Sequence, residues 1–315
     1  MSTFANIHPA TKIPLLSPRA WAFILLLLTP ALLCSNMIVA RAVADIIPPF
    51  TLAFTRWLVA VLVLLPFIGL KLWAVRDILI AERKQLLLLG FLGMGICGAF
   101  PYLGAKTTTA TNIGLIYALS PIFIILFARL WYQEQLNKRQ LLGVVFAFAG
   151  VVVIVAKGDW KVLSALSFSV GDLWILAASA SWGFYSLWQG HLKTRLSLFL
   201  RFAAMSVGGV IALAPFAAVE IYQQLPLVLD AEFINTFVIT IAFLAIISSI
   251  TAYAAYAHIQ KILGASKASL VMYAIPLYNA AMAWMFLDEQ LQSFHMLGAL
   301  LILPGLFLAV SKRKA

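Results

Sequence analysis

From Trp21 to Ala40 the chain carries no charged side chain. The hydrocarbon core of a bilayer is crossed by about 20 consecutive apolar residues in a helix. Similar runs, bounded by charges, Pro or Asn, place candidate spans at 21–41, 48–70, 86–105, 112–131 and 139–156. A second set follows at 171–190, 198–219, 235–257, 265–287 and 293–311. With 63% hydrophobic and 10% charged residues, the chain is too apolar for a soluble domain, and the intervening loops are too short to hold one. The first run follows Lys12 and Arg19, as a signal peptide would. It is too long for one and ends in no small-x-small site, so it is read as the first span.

The net charge of +11 is spread over short segments between apolar runs rather than forming a basic groove, and nucleic acid is not an expected partner. It reads instead as topology. With the N-terminus inside, Lys71, Arg76, Arg83, Lys84, Arg129, Lys138, Arg139, Lys193, Arg195, Arg201, Lys261, Lys267 and the terminal Lys12, Arg19, Lys312, Arg313 and Lys314 all face the cytoplasm. Only Arg41, Lys106, Lys157 and Lys161 face outward. Both termini are then cytoplasmic, in a bacterial-type inner membrane.

The chain also repeats itself. Pro121, Glu134, Gln135, Leu136, Gly143 and Gly150 recur as Pro276, Glu289, Gln290, Leu291, Gly298 and Gly305 at a constant offset of 155, and Pro66-Phe67 pairs more loosely with Pro215-Phe216. Five spans per copy is an odd number, so the second copy enters the membrane upside down. The charges agree, since Lys138 and Arg139 follow Glu134 but no Lys or Arg stands in the turn after Glu289. The expected fold is an all-α membrane protein of ten transmembrane helices, two inverted five-helix repeats around a central cavity. Its parts are a cytoplasmic tail (1–20), a first repeat (21–156), an outer linker (157–170), a second repeat (171–311) and a basic tail (312–315).

The segment Pro121 to Gly150 and its echo Pro276 to Gly305 resemble the paired signature of the EamA type of the drug/metabolite transporter superfamily. Trp182-Gly183 looks like the Trp-Gly of the first helix of a family repeat, whereas Leu33, Cys34, Ser35 and Asn36 stand where the first copy would carry it. The resemblance implies a membrane exporter without nucleotide or metal cofactor. The ten-span layout is similar to exporters of amino acids and related metabolites, aromatic amino acids included, and the expected substrates are small metabolites, neutral or aromatic amino acids first among them. The implied partners are a small-molecule substrate and the lipid bilayer, with the chain a monomer or weak homodimer.

Arg56 is the one charge well inside a span, where insertion scales put Arg at about +2.5 to +3.5 kcal/mol. It either faces a wet cavity and attracts a substrate carboxylate, or it snorkels to a helix end or makes a structural bond to backbone carbonyls. Asn36, Tyr102, Tyr117, Ser120, Trp182, Tyr185, Tyr253, Tyr273 and Asn279 are candidate cavity residues that would stack on an apolar body and orient its polar end. Interfacial belts and helix bridging are the competing reading. Pro30, Pro101, Pro121 and Pro276 are candidate hinges, Pro121 and Pro276 at matched mid-helix positions. Gly143, Gly150, Gly298 and Gly305 mark scaffold packing or a dimer surface. Cys34 and Cys97 read as small buried hydrophobes.

Asp172, Glu220, Glu134 and Glu289 fall near span ends, where caps and turns use them, leaving no carboxylate in mid-span. This favours facilitated diffusion by alternating access, with a proton-coupled antiporter using His191, His258 or His295 as the alternative. An enzyme is not expected: the histidines are scattered without HExxH spacing and there is no Walker loop. A channel would sooner be an oligomer around a ring of like residues.

Overall fold

The computed structural model describes residues 18–43, 45–108, 110–224, 230–286 and 290–310, which fold into helices; no strand occurs among them. The tails and Glu289 lie outside the described residues. In the first half α1 (Pro18–Ala42), α2 (Pro49–Ala74), α3 (Arg76–Gly90) and α4 (Cys97–Ala105) are followed by α5 (Ala110–Tyr117), α6 (Ser120–Tyr132) and α7 (Lys138–Val155). The short α8 (Trp160–Ser164) leads to α9 (Val170–His191), α10 (Leu198–Gln223), α11 (Ala231–Phe243) and α12 (Ala252–Leu263). The chain ends in α13 (Ala265–Ala268), α14 (Ile275–Phe286) and α15 (Ser293–Val310).

Among the described residues, six segments are long and apolar enough to cross a membrane: Pro49–Ala74, Arg76–Ala105, Asn112–Tyr132, Lys138–Val155, Leu198–Gln223 and Ala231–Leu263. Ala20–Asn36 and Ser293–Ala309 are apolar but shorter. The remaining expected spans differ for physical reasons. Along α9, Ser179, Ser181, Ser186 and Gln189 are buried and dilute its hydropathy. The ninth is interrupted by a tight 3-10 stretch, Ser269–Ala274, between α13 and α14. The helix expected from residue 86 begins ten residues earlier, so Arg83 and Lys84 lie on its amphipathic first turns rather than in a loop.

Two of the long segments contain a widened turn. Phe91–Ile96 between α3 and α4, and Leu244–Thr251 between α11 and α12, are π-helical, and the two stretches stand at nearly the offset that separates the repeats. A π turn releases backbone carbonyls from the regular ladder. Side chains bond to carbonyls of these turns: Ser181 Oγ donates to Leu92 O at 3.0 Å, Tyr253 Oη to Gly93 O at 2.9 Å and Thr251 Oγ1 to Ile246 O at 2.8 Å.

Gly143 lies against the Gly305 carbonyl and Gly150 against the Gly298 carbonyl, so α7 and α15 run antiparallel in direct backbone contact. A Cβ at Gly143 would come within 2.5 Å of that carbonyl. The glycine stripe is therefore the internal seam between the two halves, and the dimer-surface reading is set aside because the stripe is consumed within one chain. A second close seam joins α3 to α10, where Gly90 meets the Met205 carbonyl and the Gly209 nitrogen. Helices α2 and α10 pack together along their lengths, with Phe50 stacked on Phe216 at 5.0 Å.

The prolines correct one expectation. Pro121 and Pro276 are matched, but neither sits in mid-helix. The chain turns at Ala118–Leu119 and α6 starts at Ser120, while Pro276 is in the first turn of α14 after the 3-10 stretch. A first-turn proline gives up a donor that would be unpaired there anyway, so each restarts a helix beyond a break rather than kinking a continuous one. Pro30 is buried inside α1 and Pro101 inside α4.

Candidate functional site

Between the halves lies a cavity of about 300 Å³, at the small end of the roughly 300–1,000 Å³ typical of ligand pockets. The first half contributes Leu33, Cys34, Asn36 and Ile38 from α1, Leu52 and Arg56 from α2, Cys97 and Tyr102 from α4, Tyr117 from α5 and Val151 from α7. The second contributes Ala178 and Trp182 from α9, Ser248 from the π segment, Tyr253 from α12, and Met272, Ile275, Pro276 and Asn279 around the start of α14.

The expected cavity residues divide. Asn36, Arg56, Tyr102, Tyr117, Trp182, Tyr253, Asn279 and Pro276 converge on the wall. Ser120, Tyr185 and Tyr273 do not line it and are fully buried in packing, as are Pro30 and Pro121; Pro101 is also off the wall. Conversely, Cys34 and Cys97 are more than packing residues, because both reach the cavity. Their apolar surroundings in the sequence give no signal of this. Cys97 Sγ donates to the Ala178 carbonyl at 3.3 Å across the two halves.

Arg56 is 1% exposed. Its Nη1 donates to Asn36 Oδ1 at 2.6 Å, and the same oxygen accepts Tyr102 Oη at 2.5 Å. The guanidinium carbon lies 5.2 Å from the Trp57 ring centre and 5.5 Å from that of Tyr102, within cation–π range. Gly98 makes room: an added Cβ would stand 3.6 Å from Arg56 Nη2 and 3.2 Å from Trp57 Nε1. Arg56 therefore neither snorkels nor caps a helix; amide, phenol and ring faces hold it at the cavity wall.

Below Arg56 an aromatic layer forms the floor. Tyr253 meets Trp57 edge-on at 5.0 Å and Trp182 edge-on at 5.5 Å, and Trp182 leans on Tyr256 at 5.0 Å. Beyond it α9 and α12 are sealed by Ser186 with Tyr256 at 2.9 Å and by Gln189 Nε2 donating to Gln260 Oε1 at 3.1 Å. At the far end Glu134 bridges the halves, pairing with His191 at 2.9 Å and accepting Ser266 Oγ at 2.8 Å, while Tyr132 stacks on the His191 ring.

The opposite end differs. There Ile47, Ala105 and Lys106 belong both to the cavity and to a polar vestibule completed by Asp45, Ile46, Pro48 and Gln224. Two carboxylates brace this end across the halves. Glu220 accepts Thr51 N at 2.8 Å and Thr51 Oγ1 at 3.1 Å. Asp172 accepts Thr108 Oγ1, both its oxygens accept Asn112 Nδ2 at 3.0 Å, and its Oδ2 caps Ser169 N at 2.6 Å. Sequence reading places these acids at helix ends as caps, but not the fact that they join one half to the other. Nothing in a linear pattern announces a partner more than sixty residues away.

The architecture is that of a helical membrane bundle made from a duplicated unit around a solute-sized cavity. The profile of the EamA-like transporter family matches it twice, at residues 20–156 and 169–311, and the chain belongs to that family, part of the drug/metabolite transporter superfamily, as a multi-pass membrane protein. An uncharacterized transporter from Archaeoglobus fulgidus is 27% identical over 290 residues, covering 92% of this chain and 97% of its own. YetK of Bacillus subtilis, also named an uncharacterized transporter, is 23% identical over 308 residues, covering 95% and 90%. A solved crystal structure shares the fold at 19% identity with a TM-score of 0.69, over 93% of this chain and 97% of that one.

Proposed function

We propose that the chain is a secondary transporter of the inner membrane that exports small amphipathic metabolites of amino-acid size, by alternating access between two inverted five-helix halves of a ten-span bundle. One observation carries this reading: a solute-sized cavity walled by both halves, adjoining a polar vestibule at the Lys106 end and sealed at the Glu134 end by side-chain contacts. Such an arrangement needs only its seals exchanged to present the cavity to the other side. The antiparallel α7–α15 seam supports the inversion, because the repeat offset maps the Gly143–Gly305 contact onto the Gly150–Gly298 contact, as a two-fold axis across the helices would. The charge distribution supports cytoplasmic termini, which puts Lys106 on the outer face.

Among the described residues no carboxylate or histidine lines the cavity, which favours facilitated diffusion down the solute gradient. A foothold for a proton-coupled cycle is the Glu134–His191 pair, which lies at the closing end. In proteoliposomes the purified protein should give saturable flux and counterflow that survives a protonophore. Loss of counterflow on collapsing the proton gradient would assign antiport, and linear flux would assign a channel.

A further inference from the structure

The cavity has a one-sided charge. Arg56 is buried on its wall, and Lys106 stands at its vestibule end. The ion pairs among the described residues are Arg76 with Asp77 and His191 with Glu134, so no described carboxylate pairs with Arg56. Its Nε finds no hydrogen-bond acceptor among the described residues, and the single oxygen that holds Nη1, Asn36 Oδ1, is shared with Tyr102. A guanidinium removed from water and left without a counter-ion is a costly arrangement, and an anion brought to it is correspondingly favoured.

An ammonium group has no such welcome. Among the described residues, the polar wall groups other than Arg56 and Lys106 are the neutral Asn36, Asn279, Ser248, Tyr102, Tyr117, Trp182 and Tyr253 with the two thiols, and Asp45 lies in the vestibule rather than the cavity. Tyr253 has already given its hydroxyl to Gly93 O, and its ring is packed edge-on against Trp57 and Trp182. A zwitterion would gain at Arg56 and lose at its ammonium, which must shed water in a cavity whose described charged groups are both cations.

We infer that the substrate is a small organic monoanion, a carboxylate on an apolar or aromatic body without an ammonium group, held by Arg56 with its body over the Trp182–Tyr253 floor. This narrows the transport reading above and rests on it for the direction of use, but not for the binding itself. A zwitterionic amino acid is then a poor ligand, although the overall architecture resembles that of amino acid exporters.

Four compounds of one shape test it: 3-phenylpropanoate, phenylalanine, 3-phenylpropanamide and phenethylamine, titrated against the purified full chain in nanodiscs by tryptophan fluorescence and thermal shift. The expected result is that 3-phenylpropanoate binds at least about tenfold tighter than the other three, a difference of about 1.4 kcal/mol. Arg56→Gln should abolish that preference while Arg56→Lys keeps part of it, and the wild-type series stands alone should either variant fail to fold. Tighter binding of phenylalanine, or equal binding of the four, overturns the inference, as does no binding by any of them. Counterflow in proteoliposomes separates the two readings. Anion-selective binding without saturable counterflow would retain the anion site and remove the transporter; saturable phenylalanine counterflow with no phenylpropanoate binding would do the reverse.

Discussion

Tyr253 donates its phenolic hydroxyl to the Gly93 carbonyl at 2.9 Å, joining the π turn of the first half to the helix that leaves the π turn of the second. Gly93 also makes room for the neighbouring Tyr185 ring, from which a Cβ there would stand 2.5 Å. The first widened turn is thus tied, beneath the cavity, to the helix that leaves the second.

Tyr253→Phe keeps the ring and removes the bond to that carbonyl, which should cost about 0.5–1.5 kcal/mol. A lowered unfolding temperature in detergent, with the cavity still binding ligand, is the expected outcome. An unchanged unfolding temperature would mean that the bond does not tie the turns together.

Glycine at the α7–α15 seam is required by backbone contact, not by chain flexibility. Gly143→Ala would push a methyl to within 2.5 Å of the Gly305 carbonyl and 2.6 Å of Ala309 N, an overpacking that should destabilise by about 1–3 kcal/mol. Gly69 meets nothing within 4 Å, so Gly69→Ala in mid-helix should be neutral or stabilising by about 0.5–1 kcal/mol. Thermal unfolding of the two variants side by side checks the contrast, and equal effects would refute the seam.

The elements readable in sequence were those with a repeating local signature. Hydrophobic runs of bilayer length mark most of the helices, and six identities at one offset mark the two copies. Arg56, conspicuous as a lone charge in an apolar run, stands on the cavity wall with seven of the other residues and prolines expected near it or at hinges. The π turns at Phe91–Ile96 and Leu244–Thr251 were not readable, because their sequences FLGMGI and LAIISSIT satisfy an ordinary helical pattern. Nor was it readable that Cys34 and Cys97 would face solute space while Tyr185 and Tyr273 would not, since all four sit on apolar helices. Which face of a mostly apolar helix meets a cavity is decided by packing against partners far away in the chain.

The inverted arrangement proposed for the two halves makes a prediction about sidedness. Lys138 opens α7 and Gln292 immediately precedes α15, and the two helices are antiparallel. Single cysteines at these positions, in a background without Cys34 and Cys97, should be labelled by an impermeant maleimide from opposite faces of intact cells and inverted vesicles. Labelling of both from the same face would exclude the inversion.

The native cysteines report on the seals. Cys34 and Cys97 are the chain's two cysteines, and both line the cavity, so an impermeant thiol reagent reaching them must pass one end of the bundle or the other. In the wild type, modification should proceed from the face that carries Lys106. The Glu134 end is closed by the His191 pair at 2.9 Å and the Ser266 hydroxyl, on side chains that are partly exposed. Exposed pairs of this kind are worth about 0–1 kcal/mol, enough to bias a balance between two states without locking it. His191→Ala should therefore leave the fold intact, raise cysteine modification from the Glu134 face several-fold and lower it from the Lys106 face. If the rate from the Glu134 face does not change, closure there rests on the Gln189–Gln260 and Ser186–Tyr256 layer instead, and the Glu134–His191 contact is a surface pair without a gating role.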